Sequence, residues 1–151
     1  MGKPILIPHD GTEMSDKALA RAIEMSIALG SELIIVHIID SRFVPPSTTL
    51  GLIGESTALE AAKTKLIRIL KTGAEAMLKT QIEKARKEGI RARFLLGVGS
   101  PGEEIVSIAK SEKAEMIIMG SRQLKGNKLL TLGSVAKRVA ETSECPVMIV
   151  T

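Results

Sequence analysis

Aromatic side chains are almost missing from this chain: two phenylalanines, no tyrosine and no tryptophan among 151 residues. The interior must therefore be built from aliphatic groups. The shortage also argues against binding single-stranded nucleic acid on a series of stacked aromatic platforms. Cysteine occurs once, at Cys145, which excludes an intrachain disulfide framework and a zinc site built from several cysteines. A reducing, cytoplasmic setting is expected. No apolar run reaches the roughly 18 residues that a spanning helix needs, so no membrane partner is expected. The first residues lack the charged start, apolar middle and small-residue cleavage site of a secretory signal. Neither sign of charge dominates. The net charge of +4 admits anionic ligands without demanding a polyanion, and no nucleic-acid partner is expected.

What is present is ordinary for a globular protein: 44% hydrophobic and 25% charged residues. The length fits a single domain spanning 1–151, large enough for a substantial core. Short aliphatic runs alternate with longer amphipathic ones. Strands are expected at Ile5–His9, Leu33–Ile38, Arg91–Leu96, Ala114–Met119 and Pro146–Val150. Helices are expected from Ser15 to Leu29, Thr57 to Glu88, Gly102 to Ser111 and Ser134 to Ser143, from apolar spacing of three and four. In the long second helix the expected stripe is Leu59, Ala62, Leu66, Leu70, Ala74, Met77 and Ile82. Residues 40–56, with Pro45, Pro46, Gly51 and Gly54, read as a loop. Leu33–Ile38 is apolar on successive residues, the pattern of a strand buried on both faces. Five strands separated by four helices predict a doubly wound parallel α/β sheet. Ligands in such sheets bind beyond the carboxyl ends of the strands, where strand order reverses. Those ends are Asp10, Ile38 to Asp40, Gly97 to Pro101, and Gly120 onward.

The richest of these ends is Gly120-Ser121-Arg122-Gln123-Leu124-Lys125-Gly126-Asn127-Lys128, with Gly133-Ser134 following. No acidic residue lies between Glu115 and Glu141. Glycines, hydroxyls and cations between a strand and a helix N-terminus suit phosphate, because free backbone N–H groups and the helix dipole converge there. A basic surface loop would look the same in sequence. Gly97-Val98-Gly99-Ser100-Pro101-Gly102 formally matches G-x-G-x-x-G. It follows the third strand, and the next strand ends in Met119-Gly120 without a ribose-binding acid, so a tight turn is the better reading than a dinucleotide site. Asp10 can accept hydrogen bonds from a ligand's hydroxyl groups or serve as a turn residue. His9 and His37 lack metal-ligand spacing and read as structural. Cys145 reads as a buried, inert thiol. No Ser-His-Asp order, carboxylate pair or Walker lysine is visible, so no catalytic or metal-binding residue is assigned.

Together these residues resemble the universal stress protein family along essentially the whole chain. The resemblance runs through Ile5-Leu6-Ile7-Pro8-His9-Asp10-Gly11-Thr12, Leu33 to Asp40, Gly99-Ser100-Pro101-Gly102, Ala114 to Arg122, Gly133-Ser134-Val135 and Cys145-Pro146-Val147. It implies a Rossmann-like, adenine nucleotide alpha hydrolase-like domain with strand order 3-2-1-4-5. It also implies a homodimer formed by the last strands. Some members bind ATP through G-x-x-G, nine residues, then G-[ST]. Here Gly120 and Gly133-Ser134 keep the end-to-end spacing, but Gln123 stands where the second glycine belongs. The site that the resemblance implies is Pro8, Asp10, Ile38, Gly97, Gly120, Ser121, Arg122, Gly126, Gly133, Ser134 and Val135. Its ligand would be ATP or a related adenine nucleotide, alone or with Mg. The implied role is a stress-response sensor or regulator, with slow ATP hydrolysis at most. The alternative within the family is a protein-binding member that holds no nucleotide.

Overall fold

The computed structural model describes residues 2–44, 56–121 and 132–151. Five parallel strands form one sheet in the order β3-β2-β1-β4-β5, the order that the family resemblance implied. The strands are β1 (Gly2–Pro8), β2 (Ser31–Asp40), β3 (Ala92–Gly99), β4 (Met116–Gly120) and β5 (Val147–Val150). The helices are α1 (Glu13–Leu29), α2 (Ser56–Lys87), α3 (Pro101–Ser111) and α4 (Ser134–Thr142). Each expected element is present, with ends shifted by a few residues.

The strands are aliphatic on both faces because both faces are covered. On one face Ile5, Ile7, Leu33, Ile35 and Ile118 pack with Ala18, Leu19 and Ala22 of α1 and Leu78, Ile82 and Ala85 of α2. On the other, Leu6, Ile34, Val36, Ile38, Ile117 and Met119 pack with Ile105 and Ala109 of α3 and Ala136 and Val139 of α4. With Phe94 the one aromatic packed against these layers among the described residues, the core is held mainly by close-fitting branched side chains, which tolerate little change of volume.

Two expectations change. β3 runs on to Gly99, where a turn was expected from Gly97. β2 is ten residues long and carries β3 with it, pairing Ile38 with Gly97 and Asp40 with Gly99. A Cβ on Gly97 would fall 2.9 Å from Ile38 Cδ1, so any larger residue there makes the Ile38 side chain shift. In α2 only Ala74, Leu78, Gln81, Ile82 and Ala85 are buried, and no residue from 58 to 73 is. Length explains this. A 32-residue helix runs about 48 Å at 1.5 Å per residue, whereas β3 with eight residues spans about 26 Å. The first half of α2 overhangs the sheet, leaving Ile69 and Leu70 exposed. Of the expected loop 40–56, Asp40 closes β2, Ser41–Phe43 form a short 3-10 turn, and 45–55 lie outside the described residues.

The end of β4 packs closely against the first turn of α1. A Cβ on Gly120 would sit 2.5 Å from the Met14 carbonyl oxygen. Gly120→Ala should therefore cost about 1–3 kcal/mol of stability, the range for overpacking a rigid site. Gly73 lies in an exposed helical stretch with open space around it. Gly73→Ala should add about 0.5–1 kcal/mol through helix propensity. Urea denaturation of the two variants checks both signs. Equal stability for Gly120→Ala and the parent chain would contradict the packing account.

Candidate functional site

A cleft of about 340 Å³ opens at the carboxyl edge of the sheet, where β1 and β4 diverge. Its aliphatic wall is Pro8, Val36, Ile38, Ile105, Met119 and Val135. Its polar rim includes Asp10, Ser15, Asp40, Ser121, Gly133 and Ser134. Of the residues expected at a site, Pro8, Asp10, Ile38, Gly120, Ser121, Gly133, Ser134 and Val135 all line this one cleft. Gly97 does not; it stands behind Ile38 in the sheet. Arg122 and Gly126 lie outside the described residues, as do Gln123, Lys125 and Lys128.

The turn after β1 is organised by Asp10. Its Oδ1 accepts from the Thr12 N–H at 3.1 Å, the Thr12 hydroxyl at 2.5 Å and the Ser15 hydroxyl at 2.6 Å. Thr12 in turn caps α1 by accepting from the Ser15 N–H at 3.3 Å. The turn-residue role considered for Asp10 is thus present, and it places the carboxylate at the cleft rim. Gly11 takes φ +82, a conformation that side chains resist, and donates its N–H to His9 Nδ1 at 3.1 Å.

His9 is 2% exposed, and its Nε2 lies 3.0 Å from Asp16 Oδ1. With Nδ1 accepting from Gly11, Nε2–H is the donor to Asp16. His37 Nδ1 donates to the His9 carbonyl at 2.8 Å, tying β2 to β1 at the lip. Both histidines bond within the chain at the cleft that they also line. Burial pushes the His9 pKa below its ordinary 6.5, although the hydrogen bond and charge of Asp16 and the charge of Asp10 pull the other way and Lys84 adds to the lowering.

Ser121 fixes the other side. It is 4% exposed, its N–H donates to the Val150 carbonyl at 3.1 Å, and its Oγ accepts from the Gly133 N–H at 3.1 Å. The chain therefore leaves β4 and returns to α4 at two points pinned to each other. Gly133 is the N-cap of α4 and offers no side chain to it. Four helices start beyond this edge; the three whose caps are described differ. α1 carries a Thr12 cap with Glu13 and Asp16 in its first turn. α3 lacks a side-chain cap bond but carries Glu103 and Glu104. α4 has neither a side-chain cap bond nor an acid in its first turn. Of these three, its backbone N–H groups and dipole are the ones least compensated by side chains, and Gly133 and Ser134 at this start line the cleft.

The G-x-G-x-x-G match has a packing explanation. Gly97 makes room for Ile38, and a Cβ on Gly102 would fall 2.8 Å from Arg138 Cγ of α4. Arg138 crosses there to pair with Glu103 at 3.3 Å. Cys145 is half-buried, not fully buried as expected, and Ser143 Oγ lies 3.4 Å from its sulfur. Sequence reasoning gave no role to Asp40, Arg42 and Phe43 at the cleft mouth. The Arg42 guanidinium holds the Asp40 carboxyl below its usual range, through bonds of 2.6 to 3.1 Å. The available signal was Phe43 itself, one of only two aromatic residues, three positions after a strand end.

A doubly wound sheet with a cleft at its switch point, aliphatic on one wall and polar at its rim, defines the class: a Rossmann-like α/β domain. The chain belongs to the universal stress protein family, whose sequence profile matches residues 1–151. It is 32% identical to universal stress protein YxiE of Bacillus subtilis over 99% of both chains. It is 34% identical to universal stress protein MJ0577 of Methanocaldococcus jannaschii over 99% of this chain and 95% of that one. The solved structure of MJ0577 superposes with a TM-score of 0.81, covering 98% of this chain and 94% of that chain. The universal stress protein of Archaeoglobus fulgidus, solved in complex with dAMP, shares the fold at a TM-score of 0.68 and 22% identity, covering 99% of this chain and 98% of that chain. No described helix is long and apolar enough to cross a membrane.

The His9 linkage has a definite sign. The unfolded chain takes up a proton near pH 6.5, and the folded chain only at lower pH. Stability should be unaffected by this group above pH 6.5 and fall as pH drops below it toward the folded pKa. In His9→Gln, which keeps a polar side chain without a proton to gain, the drop in Tm from pH 7 to pH 5 should be smaller than in the parent. Equal drops in the two proteins would remove His9 from the account.

Proposed function

We propose that this chain is an adenine nucleotide-binding stress protein, a sensor or regulator whose cleft holds the base and ribose at β1 and β2 and the phosphates at α4. One observation carries the reading: the α4 N-terminus, uncapped and free of acids, opens into the same cleft as an aliphatic wall. That pairing matches a ligand with a flat apolar end and an anionic end. The dAMP bound by the Archaeoglobus fulgidus relative supports an adenine nucleotide as the ligand class. ATP is the fuller ligand proposed, because Arg122, Lys125 and Lys128 stand in the sequence between Ser121 and Gly133 to meet extra phosphates. Any magnesium would come with those phosphates. Asp10 meets the ribose or the base edge, Ile38 flanks the base, and Gly120, Ser121, Gly133, Ser134 and Val135 surround the phosphates.

Gln123 favours a second reading. It replaces the glycine that ATP-binding members of the resembled pattern carry, and a side chain there narrows the backbone's approach to a phosphate. In that reading the chain serves a protein partner and binds no nucleotide.

Gly133→Asp separates the two. Its φ of −60 and ψ of 156 accept an aspartate as N-cap. The variant should be as stable as the parent or slightly more so, because aspartate caps better than glycine by a few tenths of a kcal/mol. Its carboxylate would occupy the amides and repel phosphate, so ATP affinity should fall at least about tenfold, or about 1.4 kcal/mol. Calorimetry at two salt concentrations reads this, with weaker binding expected at higher salt. A parent chain that gives no heat at millimolar ATP favours the second reading.

We also propose a homodimer closed by β5. This strand is a sheet edge, and Val147, Met148, Ile149 and Val150 are all only half-buried. An apolar edge strand is a template for pairing with its own copy, and a two-fold pair leaves no edge to grow from. Light scattering should give twice 16.1 kDa at micromolar concentration. Monomer mass alone would rule the dimer out.

A further inference from the structure

Phe43 is the one aromatic ring that this chain leaves in solvent. Of its two aromatic residues, Phe94 packs against the core on the α1 and α2 side, whereas Phe43 is 74% exposed and lines the cleft mouth. Its backbone is held on both sides. Asp40 caps the Ser41–Phe43 turn by accepting the Arg42 N–H at 2.9 Å. The Val44 N–H donates to the Ser41 carbonyl at 3.1 Å, and the Val44 side chain is 5% exposed. The ring is thereby presented beside Ile38, Asp40 and Arg42 at the edge of the cavity.

The charges at this rim say what the ring can meet. The Arg42 guanidinium is engaged by both oxygens of Asp40, so the pair is close to neutral and offers little to a phosphate. The anion-seeking amides are at the other side of the cleft, on α4. A flat apolar ring next to an aliphatic wall and a neutralised ion pair suits a planar, uncharged heterocycle, which gains by stacking and by leaving water.

We propose that Phe43 is the base-stacking residue of the cleft, covering one face of the adenine and giving the site its preference for nucleotides over bare polyphosphates. This rests on the nucleotide reading above and adds to it the residue that reads the base. A single ring stacks a single base, in keeping with a mononucleotide ligand and not a nucleic-acid strand.

Calorimetry with ATP and with inorganic tripolyphosphate tests it. In Phe43→Ala, ATP affinity should fall about tenfold, the usual effect of deleting a base-stacking ring. Tripolyphosphate affinity should stay the same. Because the ring is exposed, the variant should keep the parent's Tm. Phe43→Trp gives the chain its sole tryptophan; it should keep ATP affinity, and its fluorescence should change on adding ATP but not tripolyphosphate. ATP affinity within twofold of the parent in Phe43→Ala overturns the stacking role while leaving the nucleotide reading intact. So does a tryptophan signal that ignores saturating ATP. No ATP heat in the parent overturns both.

Discussion

The cleft depends on one topological constraint: β1 lies between β2 and β4, and the chain winds outward from it in both directions. From β1 it goes through α1 and α2 to the β2, β3 side. It then returns through α3 and α4 to the β4, β5 side. Parallel crossovers are right-handed, so reversing the direction of winding puts the second pair of helices on the opposite face. The chain segments after β1 and β4 therefore leave toward opposite faces, and the space between them cannot be closed by either. Gly120 against Met14 and Ser121 against Gly133 set how wide that space is. The first sets backbone against backbone; the second is the Ser121 hydroxyl accepting a backbone N–H, so it depends on a hydroxyl at that position.

Charge is distributed over this edge in a way that fold alone does not require. Acidic groups occupy the first turns of α1 and α3, where they complement the helix dipoles internally. The first turn of α4 carries no acid and its cap is a glycine. A glycine cap in place of serine or aspartate costs a few tenths of a kcal/mol. At the N-terminus that faces the cleft, the proposed nucleotide site accounts for that loss: amides committed to a side chain are not available to a phosphate.

Most of the fold was legible in the sequence because it rests on periodicity. Successive aliphatic residues in Leu33–Ile38 announced a strand buried on both faces, and the β2 burial agrees. Gly30 ending α1 was legible because the left-handed cap, φ 65, is a local demand for glycine. What sequence missed depends on partners distant along the chain. The end of β3 could not be read at Gly97–Gly99, since only pairing with Ile38–Asp40 makes those glycines a strand. The overhang of α2 depends on the lengths of its neighbouring strands, not on its own pattern. Much of the candidate site was legible as strand ends, because topology brings those ends together. The His9–Asp16 bond and the Arg42–Asp40 pair were not, since nothing in the residue order marks which charges will meet. Gly97 was placed at the site by the family resemblance; in β3 it pairs with Ile38 of β2 and does not line the cleft.

The central claim is that the cleft at the switch point holds an adenine nucleotide. Native mass spectrometry of the purified protein, before and after addition of ATP, tests it most directly. The account predicts species heavier than the polypeptide by an adenine nucleotide, one per chain and lost on raising salt. A spectrum that shows only the bare polypeptide mass at millimolar ATP would contradict it.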